Sequence, residues 1–290
     1  MTQIARSHAV DGRLDLAFAR RSNTGTTILS VRDQQPPLQV IRAFQIDNGA
    51  ALVHLHNIGG GVLDGDCLAI NVAVGAGAQA QLTTTGATRI YRSRSDHGVA
   101  TQQMVVRVAE GGVLEYLPDQ LIPFGGSRYR QRTQIELAAD AGLFWWETIA
   151  PGREARGEVF AYDLLDLRLD LRANGRLIAI DHALLEPQRR SITSPAMLGT
   201  YRYFTTMFVC RVGVGAARWH DLEAQLADLA KQCTHVGEIE WGVSTLPAHG
   251  LIIRAVSRTS QPIGSGLLMF WQAAKHALYG QAAIPPRKVY

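Results

Sequence analysis

Apolar and polar residues alternate along much of the first two thirds of the chain, which is the period of a half-buried β-strand. In segment 67–74, every second residue is apolar: Leu68, Ile70, Val72 and Val74. Four such runs are each broken by a glycine turn and then resumed, at Gly77, Gly112, Gly142 and Gly175. The turns are separated by 35, 30 and 33 residues. The pattern predicts a mainly β body.

Repetition at this interval favours stacked antiparallel or solenoid-like β-units. A meander of ordinary hairpins is the alternative, and the pattern does not separate the two. The pair Asn174-Gly175 has the residues that a type I′ hairpin turn prefers.

Two segments in the C-terminal third have helical periodicity instead. The first, 221–233, places four residues on one face: Leu222, Leu226, Leu229 and Cys233. The second, 266–280, carries an apolar stripe of Leu267, Trp271, Ala274 and Leu278, with Ser265 as a possible cap and Gly280 as the stop. No linker divides the chain. We therefore expect one domain over 1–290, with a β-body at about 1–215 and a helix-containing part at about 216–290.

Composition narrows the class of protein. The 290 residues are 47% hydrophobic, which is enough for a substantial core, and the formal charge is only +4. Arginines are scattered without a basic block, which argues against nucleic-acid binding. The three cysteines form no C-x-x-C pair, and neither a signal peptide nor a membrane span is indicated. A reduced, cytoplasmic protein is expected.

Motifs for catalysis are missing from the sequence. The glycine-rich turn 59–65 leads into a strand instead of a helix and has no adjacent lysine, so it is not a phosphate-binding loop. No H-E-x-x-H or G-x-S-x-G motif occurs. His54 and His56 would share one face of a strand, but the Glu of a cupin-type site does not follow them. The missing motifs argue against a hydrolase, although the members of a catalytic triad need not be adjacent in sequence.

Side chains with carboxylate, hydroxyl or imidazole groups cluster around the predicted β-units. They are Asp64, Asp66, Thr83, Thr84, Thr85, Glu115, Asp119, Glu147, Asp181, His182 and Glu186. If the units stack, several of these side chains could line one interior track. Oxygen and imidazole ligands hold divalent metals loosely enough to release them. Exposure on turns and edges is the simpler interpretation of any single position.

Short motifs along nearly the whole chain resemble one family, the urease accessory proteins of the UreD (also called UreH) type. The matching segments are 57–61 (NIGGG), 65–66 (GD), 82–84 (LTT), 88–93 (TRIYRS), 115–120 (EYLPDQ), 151–158 (PGREARGE), 184–187 (LLEP), 194–199 (SPAMLG), Trp271 and 285–287 (PPR). Each is short, but they occur in the family's order. Ile58 departs from the family pattern, which has Thr there.

The resemblance implies a non-enzymatic chaperone for nickel urease, with a mostly β fold and two helices. Its expected partners are the urease apoprotein, a helical UreF-type adaptor and a UreG-type GTPase, in a complex that is a dimer of heteromeric units. It also implies transient passage of Ni²⁺ through a polar interior, with no tightly bound cofactor.

By position in the motifs, the resemblance assigns the nickel path to Asp66, Thr84, Glu158 and Glu186. The predicted partner contacts lie in loop 153–158 and the C-terminal helices, and are represented by Arg153, Arg156, Leu267 and Trp271.

Two other classes stay open. One is a cytoplasmic β-solenoid enzyme that acts on a saccharide through paired carboxylates, although the predicted C-terminal helices argue against it. The other is a metal storage protein, which the scarcity of Cys and His clusters disfavours.

Overall fold

The computed structural model describes residues 11–46, 49–94 and 98–286. The segment 1–10 and Arg287 of the closing motif therefore lie outside the described residues. The strands are β1 Asp11–Arg20, β2 Thr27–Gln35, β3 Leu38–Gln39, β4 Ala43–Gln45, β5 Ala51–Asn57, β6 Cys67–Val74, β7 Gln79–Thr84, β8 Thr88–Ile90, β9 Ala100–Val108, β10 Val113–Tyr116, β11 Leu121–Pro123, β12 Arg128–Leu137, β13 Gly142–Ile149, β14 Leu164–Ala173, β15 Arg176–Leu185, β16 Tyr203–Arg211, β17 Ile239–Thr245 and β18 Gly250–Ser257. The helices are α1 Ala216–Cys233 and α2 Gln261–Tyr279, with a short 3₁₀ turn at Glu154–Arg156.

The strands form two sheets. The first sheet has the order β15-β14-β12-β9-β6-β1-β2. The second sheet runs β17-β18-β16-β13-β10-β7-β5-β3, with β4, β8 and β11 attached to it beside this path. Strands β17 and β18 belong to the second sheet although they follow residue 216, so the helix-containing part shares its sheet with the β-body.

Consecutive strands from β5 to β14 alternate between the sheets, apart from the short β8 and β11. Within the first sheet β6, β9, β12 and β14 pair in parallel, and within the second sheet β5, β7, β10 and β13 do the same. The outer pairs β14–β15, β13–β16, β16–β18 and β17–β18 are antiparallel. The mainly β prediction with two helices is confirmed, but both sheets are mixed and do not make a clear solenoid.

The glycine turns separate into two kinds. The turns near Gly77, Gly112 and Gly142 join strands of opposite sheets, so the hairpin alternative is wrong there. Asn174 and Gly175 join the antiparallel strands β14 and β15, and their φ angles of 49° and 76° are the positive values that a type I′ turn requires.

Apolar side chains fill two layers. One layer lies between the two sheets, and its largest fully buried side chains include Trp145, Tyr129 and Phe18. The other lies between the second sheet and the helices, around Phe144, Phe270 and Trp271. Successive side chains of β13 point alternately into these two layers, so both faces of the strand are buried. This explains why its sequence, GLFWWETI, is almost continuously apolar.

Both predicted helices are present, but each begins earlier than predicted: α1 begins at Ala216 instead of 221, and α2 begins at Gln261 instead of 266. Helix α1 buries Trp219, Leu222, Leu226 and Ala230, while Leu229 is only partly buried. Helix α2 buries the whole predicted stripe and ends at Gly280, whose φ is 62°. It begins at Gln261, so the prediction that Ser265 caps it is wrong: the Ser265 hydroxyl donates to the Gln261 carbonyl within the helix, at 3.4 Å.

Candidate functional site: a polar cavity between the sheets

A cavity of about 300 Å³ opens between the two sheets. It lies where parallel strands of the second sheet reach their carboxyl ends and strands of the first sheet begin. Its polar lining includes Thr84 at the end of β7, Asp119 after β10, Glu147 on β13, Gln102 on β9 and Gln131 on β12, and the cationic Arg89 of β8 also borders it. The fold therefore gathers polar groups from several separate segments into one interior space.

Glu147 is a partly buried carboxylate that lines the cavity. It lies on the inward side of β13 and accepts a hydrogen bond from Gln131 Nε2 at 2.5 Å. The other end of the Gln131 amide, Oε1, accepts from the Tyr129 hydroxyl at 3.1 Å. Burial raises the pKa of Glu147 to about 7, against the opposing effect of the Gln131 hydrogen bond. The group can thus be neutral or charged near physiological pH.

The surrounding phenols do not ionise at neutral pH. Burial raises the pKa of Tyr116 and Tyr129 well above the usual range. Tyr116 stacks on Trp145 with ring centroids 4.0 Å apart. Two deeply buried hydroxyls in this layer have no hydrogen-bond partner among the described residues: Thr133 Oγ1 and Tyr162 Oη. The interior therefore has hydrogen-bonding capacity that its own side chains leave unused.

Thr84, Asp119 and His56 are partly exposed residues of the cavity lining. Thr84 Oγ1 accepts a hydrogen bond from the Asp119 amide at 2.9 Å, which fixes the loop after β10 against the end of β7. His56 follows His54 on the same side of β5. Burial lowers the pKa of His56, and the neighbouring His54 lowers it further, so His56 is neutral at pH 7.

Of the four residues predicted for the nickel path, only Thr84 lines this cavity. Asp66 is 1% exposed and uses its carboxylate to accept from the Leu63 amide at 2.9 Å, which holds the turn before β6. Glu186 follows the end of β15 and pairs with Arg189 at 3.3 Å.

Glu158 lies in the loop after β13. It pairs with Arg153 and accepts from the Gly125 amide at 2.9 Å. The Arg153 hydrogen bond is the main reason that the pKa of Glu158 falls to about 2. The structure thus separates Asp66, Glu158 and Glu186 from Thr84, and their roles in nickel transfer stay predictions. Among 11–46, 49–94 and 98–286, no three His, Cys, Asp or Glu side chains are grouped to hold a metal ion.

The predicted partner residues fall into two environments. Arg156 is exposed, and Arg153 is partly exposed while its guanidinium lies 4.1 Å from the centre of the Phe124 ring. Leu267 and Trp271 are 3% and 0% exposed. This corrects the prediction for the second pair, because both residues hold α2 against the second sheet and present no surface to a partner.

Glu147 is the site residue that the motifs did not single out. It was one of many carboxylates near the β-units, and the family segments 115–120 and 151–158 leave it out. The signal available in the sequence was the placement of one acid within a strongly apolar strand, GLFWWETI. Such a residue is costly to bury unless the fold supplies a partner, and here Gln131 does so.

Comparison with known proteins places this chain among the urease accessory proteins. A family model described as UreD urease accessory protein matches residues 10–290. The chain is 47% identical over 289 residues to the urease accessory protein UreD of Herpetosiphon aurantiacus, with 100% of this chain and 99% of the relative covered. It is 36% identical over 290 residues to the urease accessory protein UreD 2 of Streptomyces griseus, with 97% and 95% covered.

The chain belongs to the UreD family of urease accessory proteins. The family resemblance of the short motifs is thereby confirmed. Neither α1 nor α2 has the length and apolar character that a membrane-crossing helix needs.

Proposed function

We propose that this chain is a urease maturation chaperone that binds the urease apoprotein and connects it to a UreF-type adaptor and a UreG-type GTPase in the cytoplasm. In this role it is not itself an enzyme. Nickel is the cargo, and the polar cavity between the sheets is part of its route. Family membership supports the maturation role, while the cavity supports the route.

The observation that carries the route is the chemistry of the cavity wall. Glu147, Thr84, Asp119 and Gln131 supply oxygen atoms from different strands, without a cluster of three strong ligands. A divalent cation would be attracted to the Glu147 carboxylate but held by too few ligands to be trapped. A closed site of Cys and His would instead bind nickel tightly and stop its transfer.

The test is activation of apo-urease by the purified complex with limiting Ni²⁺. Glu147→Gln keeps the size of the side chain and removes its charge, so we expect normal assembly and activation roughly five times slower. Glu110→Gln is the matched control, because Glu110 is exposed on a turn. Co-purification with urease and the adaptor shows whether assembly is intact.

Two results would contradict the proposal at different levels. Activation at the parent rate by Glu147→Gln would remove the cavity from the nickel route. Failure of the parent chain to associate with apo-urease or the adaptor would refute the chaperone role as a whole.

A further inference from the structure

A second recess lies on the side where the first sheet ends. There β15 is the edge strand, and the second sheet continues past it through β16, β18 and β17. The result is a groove of about 460 Å³ between the sheets. Its lining includes Asp181 and Ala183 of β15, Phe204 and Thr206 of β16, and Arg254 of β18.

A row of inward-facing residues on the second sheet runs from the cavity toward this groove. In the second sheet, Glu147 lies opposite Thr206, and Thr206 lies opposite Arg254. Residues directly opposite one another on neighbouring antiparallel strands have Cβ atoms about 4.5–5.5 Å apart. The negative charge of Asp181 also contributes to the raised pKa of Glu147, which indicates that the two carboxylates face the same interior.

An ion pair spans the groove from one sheet to the other. Arg254 Nη2 on the second sheet lies 2.7 Å from Asp181 Oδ1 on the first sheet. The two side chains are 57% and 31% exposed. Exposed ion pairs contribute little to stability, so this one can open and close without disturbing either sheet. The other acid in the groove, Glu240, is hydrogen-bonded to the Tyr201 hydroxyl.

We propose that the groove is a second mouth of the interior route for a divalent cation and that the Asp181–Arg254 ion pair is its gate. This inference rests on the proposed nickel route through the cavity. A guanidinium at the mouth repels a cation, and Asp181 both neutralises that charge and draws the guanidinium to the wall. Arg254 therefore slows the passage of a cation, and Asp181 promotes it.

The gate is tested with Asp181→Asn and Arg254→Ala in the complete activation complex at limiting Ni²⁺. Asp181→Asn leaves an unpaired positive charge in the mouth, and we expect activation to slow by roughly fivefold. Arg254→Ala leaves a carboxylate in an open mouth, and activation should become about twofold faster. The exposed pair Arg13–Asp33 on β1 and β2, at the opposite end of the first sheet from β15, provides matched controls, Arg13→Ala and Asp33→Asn, with the parent rate expected for both.

The opposite signs distinguish a gate from a structural tie. A pair that merely holds the sheets together would give slower activation and lower stability in both variants, and that result would overturn the proposal. The charge swap that combines Asp181→Arg with Arg254→Asp restores the pair, so it should return the rate to near the parent value. Unfolding curves and co-purification verify that each variant is folded and assembled.

A steric test uses β15 itself. Ala183 faces the groove, whereas Leu184 is exposed on the opposite side of the same strand. Ala183→Trp should obstruct the mouth and slow activation, while Leu184→Trp should not. If Glu147→Gln slows activation but neither the charge variants nor Ala183→Trp changes it, the second mouth is refuted and the route survives. If Glu147→Gln has no effect either, the route itself is refuted.

Discussion

A carboxyl group enclosed between two sheets keeps its proton to a higher pH than one in water, and Glu147 is the example in this chain. Its neighbours are a glutamine amide, two phenols that stay neutral and an indole, so no positive charge stabilises the ionised form. Proton release near pH 7 is the result. The charge that would attract a cation is therefore sensitive to pH in the physiological range.

Glu147 should make the folded chain less stable as pH rises. Because its pKa is about 7 when folded and about 4.5 when unfolded, the folded state binds more protons between these values. The extra proton binding stabilises the folded state at low pH, and this stabilisation is lost as the pH rises through 7. Glu147→Gln should thus be more stable than the parent at pH 8 by on the order of 1–3 kcal/mol, with a smaller difference at pH 5.

Urea unfolding at pH 5, 6, 7 and 8 measures this difference. Glu110→Gln should follow the parent at every pH, because the side chain is exposed. A constant difference between Glu147→Gln and the parent over this range would show that Glu147 does not titrate there.

At the scale of elements, α2 is attached to the second sheet through a buried charge pair. Lys275 Nζ lies 2.7 Å from Glu115 Oε1, and both side chains are 4% exposed. Gln81 Nε2 donates to the other Glu115 oxygen at 2.8 Å, and Trp271 Nε1 donates to Oε1 at 3.2 Å. The carboxylate is thus fully surrounded by donors, which is the condition for burying a charge at modest cost.

Removing one member of this pair should detach α2. Lys275→Met leaves the Glu115 carboxylate buried without its cation, and we expect a loss of about 3–5 kcal/mol in the free energy of unfolding. Urea unfolding, together with the near-ultraviolet circular dichroism of the tryptophans, measures the effect.

Adding Glu115→Gln to Lys275→Met should recover most of the stability, because a neutral amide needs no counter-ion. Lys231→Met, at an exposed position on α1, is the control and should be close to neutral. A single mutant as stable as the parent would show that the pair does not anchor the helix.

The elements show what the sequence can and cannot predict. Alternation in segment 67–74 and the stripe from Leu267 to Leu278 are local signals, and both elements form where they were expected. The start of α2 was misplaced because Ser265 is a good capping residue by type, while the packing of Ile263 carries the helix back to Gln261. Local pattern is overridden wherever a distant segment supplies the contact.

The candidate site was predicted less well for the same reason. Thr84 was identified from its motif, but the position of Glu147 beside Gln131 depends on the packing of β13 against β12, which belong to different sheets. Asp66 has the type and spacing of a metal ligand, yet it satisfies a local amide in its own turn. The position of a carboxylate in a motif does not show whether it lines the cavity, as Glu147 does, or accepts a hydrogen bond within its own turn, as Asp66 does.

At the scale of the whole molecule, the outermost strands of each sheet have one edge that pairs with no other strand of the described segments. The first sheet ends at β15, where three large apolar side chains are exposed: Leu177 at 45%, Ile180 at 48% and Leu184 at 52%. An exposed apolar edge strand favours association with other chains. This feature is consistent with a protein that works inside a larger complex.

The isolated chain should therefore gain solubility when this edge is made polar. We expect Ile180→Lys combined with Leu184→Lys to raise the soluble fraction of the chain expressed without partners, because lysine on an edge strand opposes strand pairing. Val236→Lys is the control, since Val236 is 87% exposed but lies in a turn. Equal soluble fractions for the double variant, the control and the parent would exclude β15 as the cause of association.

The alternation of successive strands between the sheets also has a consequence during synthesis. As the ribosome extends the chain from β5 to β14, each new strand apart from the short β8 and β11 adds to the sheet that the previous strand did not join, so both sheets grow together over this stretch. Such non-local pairing is slow to form. A nascent chain halted before β14 would lack strands of both sheets at once, and premature termination there should yield products that are removed by proteases instead of stable fragments.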